Sequence, residues 1–274
     1  MDKLHFYKLS GSGNDFIVIN NLNNERAFDY FKDIVTRVTN RNNGVGADGL
    51  IVINPDEEVD FRWDFFNSDG SVAEMCGNGA RCAARVFSYI SGKSDMVFKT
   101  LAGKIDAYVN NSLVKVRLSD PKELKEDIEL ELEGTKIKGS FINTGVPHLV
   151  VPVDHIEDFN VKETGKKLRF HSYFAPKGTN VNFVKHLKDN TIMVRTYERG
   201  VEDETLACGT GACATALIFG KKGVIKNKAD IITSGGERLS VYFTIHESKI
   251  HNVYLEGNTR FICEGDIFLS ELFF

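Results

Sequence analysis

The sequence lacks the features that mark a membrane protein, a secreted protein or a nucleic-acid-binding protein. No apolar run approaches the ~20 residues that a membrane-spanning helix needs. The N-terminus has no basic segment followed by an apolar stretch, the pattern of a secretory signal peptide. The formal net charge is −4, so no excess of positive charge attracts nucleic acid or an anionic membrane. We therefore expect a cytoplasmic protein that binds neither nucleic acid nor a membrane.

Patterns that would form disulfides or bind metal are also missing. The chain has five cysteines, and an odd number argues against a disulfide framework in a chain without a signal peptide. Their spacing fits no common zinc pattern, and no histidine stands at a matching interval. We predict that the protein binds no metal and that its cysteines are reduced thiols. The cysteines are Cys76, Cys82, Cys208, Cys213 and Cys263.

The composition is that of an ordinary globular protein, with 42% hydrophobic and 26% charged residues. The length of 274 residues suits two modest domains or one large one. The most polar stretch, Asp120–Gly139, falls near the middle of the chain, and short β-rich runs such as FIVIN and TIMVRTY lie on both sides of it. This pattern indicates strands in both halves of the chain.

An internal repeat is the most informative feature of the sequence. Residues 75–87 read MCGNGARCAARVF and residues 207–219 read ACGTGACATALIF. Cys76 thereby aligns with Cys208 in a shared Cys-Gly-x-Gly-Ala motif. The residues after each motif are small or apolar on nearly every helical face, which is typical of a buried helix.

Two weaker sequence similarities between the halves lie N-terminal to the Cys-Gly-x-Gly-Ala motifs. FFNSDGS around Asn67 occupies the place of TYERGVE around Arg199, and Gly13–Val18 loosely resembles Gly178–Val184. Ordered echoes in both halves favour an ancient duplication. We expect an α+β fold of two pseudo-symmetric domains, each a curved, mainly antiparallel sheet around a central apolar helix, with the active site in the cleft between them.

The repeated cysteines stand where acid–base chemistry is favoured. A cysteine at a helix N-terminus lies at the positive end of the helix dipole, which lowers the thiol pKa below its free value of ~8.5. The glycines that follow expose backbone N–H groups, which bind a carboxylate. Inverting a carbon centre needs an acid on one face and a base on the other. We therefore predict that Cys76 and Cys208 exchange one α-proton, and that Cys82, Cys213 and Cys263 are core residues.

Several polar residues have both a structural and a functional interpretation. Glu198 and Arg199 fit either a surface ion pair or a cleft in which the arginine holds a second carboxylate. His148 follows a proline, and it either tunes a thiol or caps a loop. The choice between a turn residue and a substrate contact applies to three asparagines. These are Asn14, Asn67 and Asn180.

Six short motifs, taken in their order along the chain, resemble those of the diaminopimelate epimerase family. They are SGSGNDF, GVGADG, FFNSDGSVAEMCGNGARC, NTGVPH, GTNVNF and YERGVEDETLACGTGACA, and the two cysteine motifs are highly specific. The resemblance implies an isomerase that interconverts LL- and meso-2,6-diaminopimelate without pyridoxal phosphate or metal, for lysine and peptidoglycan precursor synthesis. It also implies that the C-terminal tail returns to the first domain. The implied limits are 1–119 with 264–274 for the first domain and 120–263 for the second.

The resemblance implies roles for individual residues as well. Cys76 and Cys208 would be the acid–base pair, tuned by His148 and Glu198. Backbone groups for the α-carboxylate would come from two pairs of residues, Gly77-Asn78 and Gly209-Thr210. The other substrate contacts would be Asn14, Asn67, Asn180, Glu198 and Arg199.

Three positions depart from the family pattern. Gly49 stands where many members carry glutamine, and Val146 stands where many carry asparagine before Pro-His. Asn143 is a candidate to replace the amide missing at Val146. The resemblance implies a homodimer, but Cys263 stands where some members carry a tyrosine at the dimer contact.

Three alternative functions fit parts of the pattern. A proline-racemase-like or phenazine-type isomerase of the same fold is disfavoured, because a monocarboxylate needs no distal anchors such as Arg199 and the asparagines. A thiol redox switch would use Cys76 and Cys208 without turnover. A non-catalytic binding module would keep its function after thiol alkylation. Deuterium exchange at the α-carbon separates an isomerase from the switch and the binding module.

Overall fold

The computed structural model of the chain describes residues 3–273. The chain divides into two compact units, the first made of Met1–Arg117 with Gly257–Phe274 and the second of Leu118–Glu256. The predicted domain limits were 119/120 and 263/264. In the structure the chain passes from one unit to the other at 117/118 and at 256/257. The parts of that prediction that fall on residues 1, 2 and 274 lie outside the described residues.

The first unit is a mixed sheet with helices on both faces. Its elements in chain order are β1 (Lys3–Gly11), β2 (Asn14–Asn20), α1 (Phe28–Val38), β3 (Gly49–Asn54), β4 (Phe61–Asn67), α2 (Gly77–Ser91), β5 (Asp95–Thr100), β6 (Gly103–Asn110) and β7 (Leu113–Arg117). Because alternate strand residues point to opposite faces, Ile17 and Ile19 pack with α1. Phe16 and Ile51 instead lie next to Gly79 of α2.

The two helices of the first unit differ in how much of their surface is buried. α1 buries one stripe, formed by Phe31, Ile34, Val35 and Val38, as expected of an amphipathic helix on a sheet. α2 is buried through most of its length and packs against strands β1, β2, β3, β6 and β7. It ends at Gly92, whose φ of 75° is the left-handed conformation that glycine adopts most readily.

The second unit has the same kind of layered construction. Its elements are β8 (Lys122–Leu132), β9 (Thr135–Asn143), β10 (Pro147–Pro152), α3 (Val161–Arg169), a 3-10 turn (Ser172–Phe174), β11 (Asn180–Lys188), β12 (Thr191–Glu198), β13 (Asp203–Thr205), α4 (Gly209–Lys221), β14 (Lys228–Ile232) and β15 (Arg238–His246). α3 packs on Leu149, Val151, Val181 and Phe183. α4 is almost wholly buried and packs against strands β9 to β12, β14 and β15.

The last strand contributes residues to both units. β16 (Lys249–Phe268) pairs with β15 along its first part, and its last part pairs antiparallel with β1, where Lys3 faces Phe268. A 3-10 helix (Leu269–Phe273) follows it. Within the described residues, no helix combines the length and the apolar character needed to cross a membrane.

Strand pairing repeats between the units. In the first unit β2–β3 is parallel, β3–β4 antiparallel, β4–β5 parallel and β5–β6 antiparallel. In the second unit the same senses recur for β10–β11, β11–β12, β12–β14 and β14–β15. α1 and α3 follow the first strand of each series, and α2 and α4 precede the fourth. The predicted α+β fold with an internal duplication is confirmed.

The topology supports one of the two weaker sequence similarities between the halves and contradicts the other. Asn67 ends β4 and Glu198 ends β12, so the segments around Asn67 and around Arg199 occupy equivalent places, as the sequence predicted. Asn14 opens β2, whereas Asn180 opens β11, whose counterpart is β3. The expected equivalence of Gly13–Val18 with Gly178–Val184 is therefore wrong. The first residues of these two strands are similar in sequence, but the strands hold different positions in the sheet.

Candidate active site

The first unit places Cys76 at the start of α2. Its backbone is extended (φ −145°, ψ 120°), and its Sγ accepts a bond from the backbone N–H of Gly79 at 3.5 Å. Gly77 and Asn78 form the first turn, whose backbone N–H groups have no partner within the helix. These groups lie at the positive end of the helix dipole, where they favour a thiolate or a carboxylate.

Two predicted substrate contacts meet beside Cys76 in a fixed amide network. Asn78 Nδ2 donates to Asn14 Oδ1 at 2.8 Å, and Asn14 Nδ2 donates to Asp48 Oδ2 at 2.9 Å. Arg81 donates to Asn78 Oδ1 at 2.9 Å. Because a guanidinium only donates and a carboxylate only accepts, the orientations of both amides follow. The first half-site is therefore ordered by its own residues.

The other predicted contact in this unit, Asn67, is bonded within its own turn. Its Nδ2 donates to Ser71 Oγ at 2.9 Å, and in the sheet it stands opposite Gly49. A Cβ added to Gly49 would lie 2.7 Å from Phe65 Cε2 and 2.8 Å from the Phe66 carbonyl oxygen. With this backbone no side chain fits at position 49, so only main-chain groups are available there.

The second unit places Cys208 at the equivalent start of α4. Its backbone is also extended (φ −122°, ψ 108°), and its Sγ lies 3.5 Å from Thr210 Oγ1. Gly209 and Thr210 form the first turn, and Thr144 Oγ1 donates to the Thr210 carbonyl at 3.2 Å. The two cysteines therefore occupy the same structural position in the two units.

The environment of Cys208 differs from the expected one. Its side chain is buried, with 8% of the residue exposed. Burial, followed by the nearby charge of Glu198, raises the pKa of Cys208 to about 12, although backbone N–H groups of Thr210 and Gly211 act in the opposite direction. The expectation that the helix start lowers the thiol pKa is therefore wrong for Cys208, because loss of solvent outweighs the helix dipole.

Glu198 and Arg199 end β12 with different partners. Glu198 Oε2 accepts from Thr205 Oγ1 at 3.0 Å, and burial raises the pKa of Glu198. The Arg199 backbone N–H donates to Asn180 Oδ1 at 2.8 Å, and its Nη1 donates to the Lys177 carbonyl at 3.4 Å. No ion pair between Glu198 and Arg199 is found among the described residues, so the surface-pair interpretation receives no support.

His148 and Asn180 complete this group. Asn180 Nδ2 donates to the Pro147 carbonyl at 3.0 Å, which ties the start of β11 to the start of β10. His148 is fully buried, and burial, followed by the charge of Arg199, lowers its pKa to about 3. His148 is therefore neutral at neutral pH, and any effect that it has on a thiol is that of an uncharged imidazole.

Arg199 also lines a cavity of about 430 Å³ within the second unit. Its walls include the aromatic rings of Phe141, Tyr173 and Phe174. Asn143, the residue considered as a replacement for the amide missing at Val146, lies on the same wall. The cavity thus combines apolar surface with an arginine and an amide. Such a lining suits an organic ligand that carries a carboxylate.

Several residues around these sites were not predicted from the sequence. Asp15 binds Lys8 at 2.9 Å and Arg41 at 2.8 Å, and Arg41 also binds Asp48. Asn182 is buried beneath α4. The available signal for Lys8, Asp15 and Asn182 was a charged or amide residue on an apolar strand, whereas Arg41 and Asp48 lie outside the strands and had no such signal. Within the described residues, no group of three or more His, Cys, Asp or Glu side chains is arranged to hold a metal ion.

The remaining cysteines divide into two kinds. Cys82 and Cys213 are fully buried in α2 and α4, as predicted. Cys263 is exposed, so its assignment to the core is wrong. It stands opposite Lys8 in the β1–β16 pair, and residues 260–264 are all exposed.

The fold has relatives among solved structures. A phenazine biosynthesis protein of the PhzF family from Bacillus anthracis matches 98% of this chain and 100% of its own with a TM-score of 0.75 at 14% identity. A hydroxyproline epimerase from Agrobacterium vitis matches 97% of this chain and 93% of its own with a TM-score of 0.70 at 14% identity. The chain has the α+β fold that these two proteins share.

Sequence comparison identifies the family within that fold. The profile of diaminopimelate epimerase matches residues 6–122 and 140–262. Diaminopimelate epimerase of Aquifex aeolicus is 49% identical over 276 residues, covering 96% of this chain and 97% of the relative. That of Hydrogenobaculum sp. is 45% identical over 272 residues, covering 94% and 96%. The chain belongs to the diaminopimelate epimerase family, a family of isomerases.

Proposed function

We propose that the protein interconverts LL- and meso-2,6-diaminopimelate in lysine and peptidoglycan precursor synthesis. Its relatives, named diaminopimelate epimerase, match it over nearly their whole length. The observation that carries the chemistry is the placement of Cys76 and Cys208. Each precedes the buried helix of its own unit, at equivalent points of a duplicated fold.

The reaction moves one proton off and one proton onto the α-carbon. A thiolate takes the α-proton, and the electron pair of the broken C–H bond remains on the α-carbon as a carbanion. The thiol on the opposite face then gives its proton to that carbon and becomes the thiolate. Burial favours the protonated form of Cys208. In the direction that starts from this form, Cys208 gives the proton and the Cys76 thiolate takes the α-proton, and the two roles exchange in the reverse direction. The thiol pair supplies both groups, and the proposal includes neither pyridoxal phosphate nor metal.

The α-carboxylate binds at the helix starts. The backbone N–H groups of Gly77-Asn78 and of Gly209-Thr210 are free of partners within α2 and α4. Their partial positive charge stabilises the negative charge that spreads onto the carboxylate as the carbanion forms. Glu198 contributes negative charge near Cys208 and favours the protonated thiol there.

The distal end of the substrate binds through amides and the arginine. Arg199 offers a planar fork of N–H donors for the second carboxylate, and Asn180 holds the Arg199 backbone. Asn14 and Asn67 are the contacts offered by the first unit. These distal groups favour a dicarboxylate over a substrate of the proline-racemase type. The cytoplasmic location and the homodimer stay predictions.

The decisive experiment follows deuterium into the substrate. Purified protein in D₂O should exchange the α-hydrogen of LL-diaminopimelate for deuterium as the meso form appears. Cys76→Ala and Cys208→Ala should each slow the reaction by about 10²–10⁴-fold. Cys82→Ala and Cys213→Ala are matched controls, because they remove a buried thiol from the same two helices, and they should keep the activity. Conversion of the LL form to the meso form at more than about a tenth of the wild-type rate in either Cys76→Ala or Cys208→Ala would contradict the two-thiol mechanism.

A further inference from the structure

The second unit buries an asparagine whose side chain has a fixed orientation. Asn182 of β11 stands opposite Val150 of β10 and Thr196 of β12, and it is fully buried. Its Nδ2 donates to the Leu149 carbonyl at 3.0 Å, and its Oδ1 accepts from Thr196 Oγ1 at 2.9 Å. Because a backbone carbonyl can only accept, the nitrogen of the amide must be the atom that faces Leu149.

The same nitrogen lies 3.1 Å from Nδ1 of His148. An amide nitrogen donates and does not accept, so Nδ1 of His148 must be the acceptor. In a neutral imidazole the proton is then on Nε2. The burial that lowers the pKa of His148 to about 3 agrees with a neutral ring.

The Nε2 atom of His148 is left without a partner. It is buried, and it forms no hydrogen bond with any residue between positions 3 and 273. Buried polar groups are nearly always hydrogen-bonded, so each exception calls for an explanation.

The network formed by Asn182 and His148 also lies near Cys208, a proposed acid–base residue. A Cβ added to Gly211 would lie 2.2 Å from Asn182 Oδ1 and 3.3 Å from Cys208 Sγ.

We propose that Asn182 is a positioning residue that holds His148 as the neutral tautomer with its proton on Nε2, so that His148 acts as a hydrogen-bond donor and not as a base when substrate binds. The tautomer follows from the hydrogen bonds alone. Its consequence for turnover rests on the proposed function.

Nitrogen NMR of the wild-type protein tests the tautomer directly. The protein is labelled with ¹⁵N-histidine, and the signal of His148 among the seven histidines is assigned by its loss in His148→Gln. At neutral pH the expected spectrum has a protonated Nε2 and an unprotonated Nδ1. A proton on Nδ1, or a doubly protonated ring, would overturn the proposal without any measurement of activity.

Asn182→Asp tests the positioning role. A carboxylate accepts from Nδ1, so the proton should move to Nδ1 or the ring should become charged. Turnover should fall by at least about tenfold in kcat, with KM changed by less than about twofold, because a histidine in the wrong tautomer loses its role while substrate still binds. An unchanged tautomer in Asn182→Asp would overturn the proposal.

Thr196→Val is the matched control. It removes a buried hydrogen bond from the same asparagine but leaves the bond between Asn182 and His148 in place. Its His148 spectrum and its kcat should resemble those of the wild type. A shift of the tautomer in this variant would overturn the proposal, because general packing would then control His148. A wild-type protein with the expected tautomer but no α-proton exchange would refute the proposed function alone.

Discussion

Replacing Gly211 by alanine should destabilise the protein even though alanine is the better helix former. The added Cβ would lie 2.2 Å from Asn182 Oδ1 and 3.3 Å from Cys208 Sγ. Asn182 cannot easily move away, because Thr196 Oγ1 donates to its oxygen at 2.9 Å and its nitrogen donates to the Leu149 carbonyl at 3.0 Å. Either the amide leaves its bonds or α4 shifts.

The expected loss of stability is the balance of one stabilising effect and two destabilising effects. Alanine in place of glycine contributes up to about 1 kcal/mol in favour of a helix. Overpacking a core costs about 1–3 kcal/mol, and each hydrogen bond lost by Asn182 costs about 0.5–1.5 kcal/mol. We expect Gly211→Ala to lower the free energy of unfolding by about 2–4 kcal/mol. The melting temperature should fall by on the order of 10 °C.

Gly79→Ala is the matched control, since Gly79 holds the same place in the motif of the first unit. Its added Cβ would lie 3.2 Å from Ile51 Cδ1, the end of a flexible side chain, so it should stay within about 1 kcal/mol of the wild type. Urea and thermal unfolding of the three proteins, followed by circular dichroism, give the comparison. If Gly211→Ala proved as stable as Gly79→Ala, the Asn182 side chain could not be fixed in the way its hydrogen bonds indicate.

Three further predictions concern charge and thiol reactivity. Arg199→Lys should lower kcat/KM for diaminopimelate more than for an amino acid without the distal carboxylate, because lysine lacks the fork; an equal loss for both would remove Arg199 from the distal site. Under iodoacetamide, peptide mass mapping should find Cys263, which is exposed, alkylated well before Cys208, which is buried with its pKa raised to about 12; the reverse order would contradict the burial. Burial by itself would raise the pKa of Asp15, but a hydrogen bond from Arg41 leads the effects that lower it to about 2, from 3.8. Asp15→Asn should therefore cost about 2 kcal/mol of stability at neutral pH, and the difference should shrink as the pH falls from about 4 to about 2; a pH-independent difference in urea unfolding would contradict it.

Much of the architecture could be predicted because the chain repeats itself. Two Cys-Gly-x-Gly-Ala motifs, each followed by small and apolar residues, were sufficient to predict two buried helices that start at Cys76 and Cys208. The equivalence of the segments around Asn67 and around Arg199 also followed from the aligned motifs. The pairing of Gly13–Val18 with Gly178–Val184 failed, because short strand entries look alike and only the sheet order distinguishes them.

The sequence predicted where the two helices start but not the electrostatics around their first residues. A helix start is set by a few neighbouring residues, so the sequence by itself determined where the two thiols and their flanking N–H groups lie. The pKa of Cys208 depends on how completely α4 is covered and on Glu198, ten residues earlier in the chain. The tautomer of His148 depends on Asn182, 34 residues away in sequence. Only the tertiary structure decided these properties, because desolvation and hydrogen bonding act between atoms that the fold, and not the local sequence, brings together.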